Sequence, residues 1–203
     1  MIQKIKTYTN LGLQGYEIVV EADSNNSIPS IEIIGLPDAA IKESKERIRA
    51  TFRNVGITIP NKKFILNLAP SDIRKVWTSF DLPMAVALLF LIFEWHVFVP
   101  PFFEQSLFFG ELGLDGVLKP VNWLLPCVIE SIKHWYTTFF IPAENIYELE
   151  YIPGIVLYPI HHFQQILEFF LYGKKIEAIS QSKEISVDNL DSSHWVDFKH
   201  IKW

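Results

Sequence analysis

An α/β or α+β domain is the fold class this 203-residue sequence predicts, and three features predict it. Short β-branched or alternating runs recur along the chain, punctuated by Gly, Asn and Pro. Segments with helically spaced apolar residues stand between them. Apolar residues make up 49% of the chain and charged residues 20%, which is enough to build one sizeable core.

Taken in order, 5–9, 16–22 and 30–34 read as strands, separated by Gly12, Gly15, Asn25 and Asn26. Gly35-Leu36-Pro37-Asp38 then opens a helix, with Pro37 suited to its first turn. Ile41, Ile48, Phe52 and Val55 form its apolar stripe, Glu43 and Arg47 are a favourable i,i+4 pair, and Gly56 closes it. A strand over 64–68 runs into Ala69-Pro70. The polar turn Ser71–Phe80 follows, then an apolar helix over 82–93. Further strands are expected at 106–111, 137–141 and 154–157, and helices at 124–132 and 160–171. The domain spans 1–173. After Gly173 the chain turns polar and rich in Ser, Asp and Lys, so 174–203 reads as a linker.

Composition excludes several classes. With a formal net charge of -5, nothing pulls the whole chain toward nucleic acid. Cys127 is the single cysteine, so neither a disulfide nor a paired-cysteine metal site can form within the chain, which fits a cytoplasmic setting. The six histidines adopt no ligand spacing, and no metal site is expected. A spanning helix needs roughly 20 apolar residues. The uncharged run 82–93 stops at Glu94 and reads as a buried helix; anchoring of 82–103 in a membrane is the alternative.

Little in the sequence carries chemistry by itself. Gly173-Lys174 is the only Gly-Lys pair, and no glycine precedes it at phosphate-loop spacing, so no ATP site is expected in this chain. Lys42, Lys45, Arg47, Arg49 and Arg53 give the first helix a cationic face, interleaved with Glu43 and Glu46 as on an ordinary solvated helix. Ser79 is a candidate nucleophile. It needs a base or lysine beside it, and the plainer reading is a turn or helix N-cap serine.

Three long motifs carry a resemblance: "GLPDAAIKESKERIRATFRNVGITIPNKKFILNLAPSDIRK" with "TSFDLP", then "FFGELGLDGVLKPVN", then "FFIPAENIYEL". Over roughly residues 3–171 the chain resembles the N-terminal domain of the Mg-chelatase-like AAA+ proteins, the YifB/ComM group. The motif positions are Gly35, Leu36, Pro37, Asp38, Lys42, Glu43, Arg47, Asn67, Pro70, Asp72, Lys75, Trp77, Phe80, Asp81, Pro83, Gly110, Glu111, Pro142 and Asn145. The resemblance implies a Lon-protease-like sandwich of mixed sheet and helices, of the ribosomal-protein domain-2 type, ahead of an ATPase module that this chain does not contain. It implies that ATP and Mg2+ belong to that module, that partners are the module and other subunits of a hexameric ring, and that DNA is remodelled in natural transformation.

The Lon likeness bears on Ser79. Residues 75–81 lie over the Lon nucleophile motif, with Ser79 at the serine. The Lon lysine falls on Leu125, which can neither accept a proton nor lower a pKa. A serine peptidase is therefore the alternative to a non-catalytic accessory domain, and the disfavoured one.

The tryptophans depart from the pattern. Trp77, Trp123, Trp135 and Trp203 stand where the family has glycine, and Trp95 and Trp195 sit in turn-like contexts. The chain has 9 glycines, below the usual ~7%. These positions are expected to have backbones that glycine fits and tryptophan strains.

Overall fold

The computed structural model describes residues 2–12, 14–73, 75 and 79–180, the side chain of Trp95 excepted. The expectation for Trp77, and those for Trp195, Trp203 and most of the linker, fall outside these residues.

The chain begins with a long hairpin, β1 (Gln3–Leu11) and β2 (Gln14–Asn25), paired antiparallel from Gln3↔Ala22 to Leu11↔Gln14. β3 (Ser30–Ile34) leads through α1 (Ala39–Asn54) to β4 (Lys63–Ala69), which lies parallel to β3 and antiparallel to β2. The first sheet therefore has the order β1-β2-β4-β3. α1 starts where the Asp38 carboxylate accepts the Ile41 N–H at 2.8 Å, filling one of the orphan donors of the first turn. Pro37 stands before that cap rather than in the first turn, bridged to Lys75. Ile41, Ser44, Ile48, Thr51 and Phe52 face inward at helical spacing.

α2 (Asp81–Phe93) is the apolar helix of the sequence reading, and each of its residues from Asp81 to Leu91 is buried. A helix that is apolar all round has to lie inside a core. Here it packs on β1 and β2 of the first sheet and touches α1. Pro83 is tolerated because the first turn has no intrahelical N–H bond to lose. Phe80 occupies the N-cap and no side chain caps this helix, while Ser79 stands in the turn before it, the turn form of its plainer reading. Among the described residues no helix is long and apolar enough to cross a membrane.

The expected strand 106–111 divides in two. β5 (Ser106–Phe108) joins the second sheet, while β6 (Glu111–Leu112) pairs with β7 (Leu118–Lys119) in a small hairpin around Gly113 and Gly116. The break falls at Gly110, whose carbonyl accepts the Leu82 N–H at 3.0 Å and whose N–H donates to Ser79 at 3.1 Å. Then follow α3 (Leu124–Ile132), β8 (Thr138–Pro142), the single turn α4 (Ile146–Leu149), β9 (Val156–Ile160), α5 (Phe163–Tyr172) and β10 (Ile179–Ser180). The second sheet is ordered β10-β9-β8-β5, with β5, β8 and β9 parallel and β10 antiparallel. α5 begins three residues later than its apolar pattern suggests. The His162 side chain caps it by accepting the Gln164 N–H, and the Gln165 side chain returns the bond. The described residues thus form a mixed α/β fold, the class the sequence predicts, with two four-stranded sheets and the small β6-β7 hairpin.

Strand alternation divides the second sheet between two cores. Phe108, Phe140 and Ile160 face the main core with α2 and α5; Leu107, Phe139, Ile141 and Leu157 face the second core with Leu124, Cys127 and Val128 of α3. In the main core Phe108 and Phe140 stack at 4.6 Å, and Phe140 and Tyr158 at 4.7 Å. Such pairs add about 0.5–1.5 kcal/mol beyond the area they bury.

Gly35 has φ 94°, and a Cβ there would lie 2.3 Å from the Leu68 carbonyl oxygen. Gly154 has φ 76° but open space around its Cα. Gly154→Ala is expected to cost about 1–2 kcal/mol from the left-handed backbone alone. Gly35→Ala adds a backbone clash and is expected to cost at least about 3 kcal/mol. Urea denaturation of the two variants measures the difference.

Candidate functional site

The motif residues gather around the two loops that lead into α1 and α2. At the first, Lys75 is fully buried and its ammonium donates to the carbonyls of Gly35, at 3.0 Å, and Pro70. Burial pulls its pKa below the ordinary lysine value, with Asp72 opposing. The lysine staples the Gly35–Pro37 loop to the segment after β4. Asn67 on β4 donates to Glu21 at 3.0 Å, locking β4 to β2 across the sheet.

At the second, Asp81 is fully buried at the start of α2. Arg47 reaches it from α1 with two bonds, Nε to Oδ2 at 2.6 Å and an Nη to Oδ1 at 3.0 Å. The Leu112 N–H donates to Oδ2 at 3.0 Å. The same Arg47 nitrogen also donates to the Ala40 carbonyl and the Ser44 hydroxyl. Burial pushes the Asp81 carboxyl above its usual range, while Arg47, Ser44 and the Leu112 N–H push it back; the Asp81 bonds raise the guanidinium. Arg47 thus gives its hydrogen bonds to Asp81, Ala40 and Ser44, while Glu43 at the favourable i,i+4 spacing still raises its pKa by charge. Arg49 pairs with Glu46 at 3.0 Å, so the expected cationic face of α1 is not continuous. Lys42 and Lys45 remain at an open groove beside Ile31–Ile34 of β3.

Two motif residues lie apart. Pro142 ends β8, and Asn145 just beyond it holds both backbone groups of Val121, accepting at 3.0 Å and donating at 2.8 Å. That pair fixes the loop entering α3.

Ser79 opens onto a cleft of about 10 Å³, lined by Tyr8, Thr9, Asn10, Phe109, Val121, Asn122, Trp123, Leu124 and Cys127. That is room for roughly one water. Among these lining residues there is no lysine, histidine or carboxylate. Burial raises both titratable side chains, Tyr8 strongly and Cys127 to about 12, so each is protonated at neutral pH and neither can deprotonate a serine. Lys75 is nearby in sequence, but its ammonium is held by Gly35 and Pro70. Among the described residues no group of His, Cys, Asp or Glu could hold a metal.

Sequence reasoning missed Ser44, the Leu112 N–H, and the bond of 2.6 Å from the Tyr136 hydroxyl to Glu17 that ties α3's exit to β2. A backbone N–H carries no sequence signal, and Glu17 and Tyr136 stand 119 residues apart.

The model for subunit ChlI of Mg-chelatase matches residues 20–145, a stretch that holds both loops, Ser79 and Asn145. The chain belongs to that family. It is similar to the uncharacterized protein Rv2897c of Mycobacterium tuberculosis, 34% identical over 71% of this chain and 28% of the relative. It is 31% identical to YifB of Escherichia coli over 84% of this chain and 33% of YifB. It is 25% identical to the competence protein ComM of Haemophilus influenzae over 95% of this chain and 37% of ComM. The chain thus spans about a third of the length of the relatives it matches.

Arg47→Met removes the partner of a buried carboxylate and is expected to cost about 3–5 kcal/mol at neutral pH. Without the guanidinium the Asp81 pKa rises further above its unfolded value. The folded state then binds the proton more tightly, a contribution present below the unfolded pKa and lost as pH rises through the folded one. The deficit of Arg47→Met relative to the parent should therefore shrink on acidification. Urea midpoints of both proteins at neutral pH and at about pH 4 test the sign.

Proposed function

We propose that the chain is a non-catalytic, N-terminal accessory domain of a Mg-chelatase-like AAA+ ATPase. The observation that carries this reading is the cleft at Ser79, whose described lining offers no base, with Leu125 at the lysine position of the Lon pattern. The domain's work is contact: with the ATPase module of the same parent and with neighbouring subunits of a hexameric ring in the cytoplasm. The parent remodels DNA by ATP-driven branch migration during natural transformation; of this, the competence link is what the name of the competence protein ComM supports.

ATP and Mg2+ belong to the parent's module. The residues present here do not fit a nucleotide. The one Gly-Lys pair, Gly173-Lys174, stands at the C-terminal end of α5, where the N–H groups turn back to Phe169 and Glu168 and the helix dipole is negative. The Lys174 ammonium is paired with Glu168 at 2.6 Å.

The purified chain is expected to show no ATP turnover above buffer. It is also expected to resist a fluorophosphonate probe, because Ser79 lacks a group to take its proton. Labelling that maps to Ser79 and disappears in Ser79→Ala would establish the peptidase alternative instead.

A further inference from the structure

Four described non-glycine residues have positive φ: Leu36, Glu94, Trp123 and Trp135. Two of the four are tryptophans, although only three tryptophan backbones are described. Positive φ is uncommon outside glycine, a few per cent of residues, and enriched in Asn, Asp and His rather than in large aromatics. The chain's own glycines behave this way as a rule, with seven of the 9 at positive φ. Trp123, at φ 64° and ψ 29°, nearly coincides with Gly173, at φ 64° and ψ 20°.

The helix ends give an internal comparison. α1 closes with Ile57 N–H to the Phe52 carbonyl and Gly56 N–H to the Arg53 carbonyl, Gly56 standing at φ 79°. α3 closes with Tyr136 N–H to the Ser131 carbonyl and Trp135 N–H to the Ile132 carbonyl, Trp135 standing at φ 68°. The two hydrogen-bond patterns are identical, and their left-handed residue is the glycine position of a Schellman motif. One helix of this molecule fills it with glycine and the other with tryptophan.

Burial does not offset the strain. Trp135 is 84% exposed and Trp123 51%. A tryptophan usually justifies its place by burying its large surface, and Trp135 buries almost none.

We infer that residues 123 and 135 are glycine in the protein the cell makes. The cause consistent with one residue type replacing glycine is a UGA codon that the cell's translation reads as glycine and another genetic code reads as tryptophan. A reassigned codon acts wherever it occurs, so every tryptophan of this sequence that UGA encodes is glycine; were all six so encoded, the glycine total would rise from 9 to 15, the ordinary share of about 7%. Residue 123 also walls the cleft at Ser79, so glycine there widens the candidate site. The inference stands independently of the proposed function.

Peptide mass spectrometry of the protein isolated from its own cells, together with the codons of the gene, decides the matter. Glycine in the peptides covering positions 123 and 135, over UGA codons, is expected. Tryptophan in those peptides, or UGG codons, overturns the inference. A second measurement addresses the structural ground. Trp135→Gly should raise the folding equilibrium constant of the recombinant chain about 3- to 10-fold, by relief of the left-handed backbone less the entropy of glycine. Trp135→Ala keeps the Cβ and should gain nothing. Equal stability of the two variants overturns the argument from backbone strain.

Discussion

The buried carboxylate of Asp81 is the contact on which the rest of the arrangement depends. Three segments far apart in sequence converge on it: α1 through Arg47, the start of α2 through the carboxylate itself, and β6 through the Leu112 N–H. An ionised group cannot stay in a core without partners, and here its oxygens accept from a guanidinium fork and a backbone amide. The guanidinium in turn ties down the Ala40 carbonyl and the Ser44 hydroxyl on its own helix. This arrangement fixes the angle at which α2 enters the core and lets Leu82 and Ser79 clasp Gly110. Apolar packing alone would hold α2 in place but would not set its register, because its surface is apolar on every side.

Lys75 does the equivalent work at the other loop. A charged side chain that is fully buried, with its ammonium on two carbonyls, closes the segment after β4 onto the loop before α1. Each loop is therefore held by a cation, Lys75 buried at one and Arg47 half-buried at the other, and both cations are motif residues. The long motifs of the sequence thus include the side chains that make the polar joints between elements.

Much of the fold was legible because it rests on local pattern. The alternation in β1, β2 and β4, the apolar run of α2 and the spacing of α1 each correspond to one observed element. The misreadings have local causes too. Residues 106–111 looked like one strand, but Gly110 gives its backbone groups to Ser79 and Leu82 and splits it. The pattern of α5 ran on past its true start because the cap is a histidine, a residue that seldom signals one. Helical spacing showed Glu43 beside Arg47 but not its hydrogen-bond partner 34 residues away.

By itself the sequence determined the fold class, the order of most elements, the family and the set of motif residues, because periodicity and long motifs are properties of neighbours along the chain. The tertiary structure decided which of those residues meet. It joined Arg47 to Asp81 and Lys75 to the carbonyls of Gly35 and Pro70, left Ser79 facing a cleft whose described lining has no base, and gave Trp123 and Trp135 the backbone of glycines. The reason is physical: the cost of a buried charge, an unprotonated base or a left-handed backbone depends on what surrounds the group, and those surroundings come from elements distant in sequence.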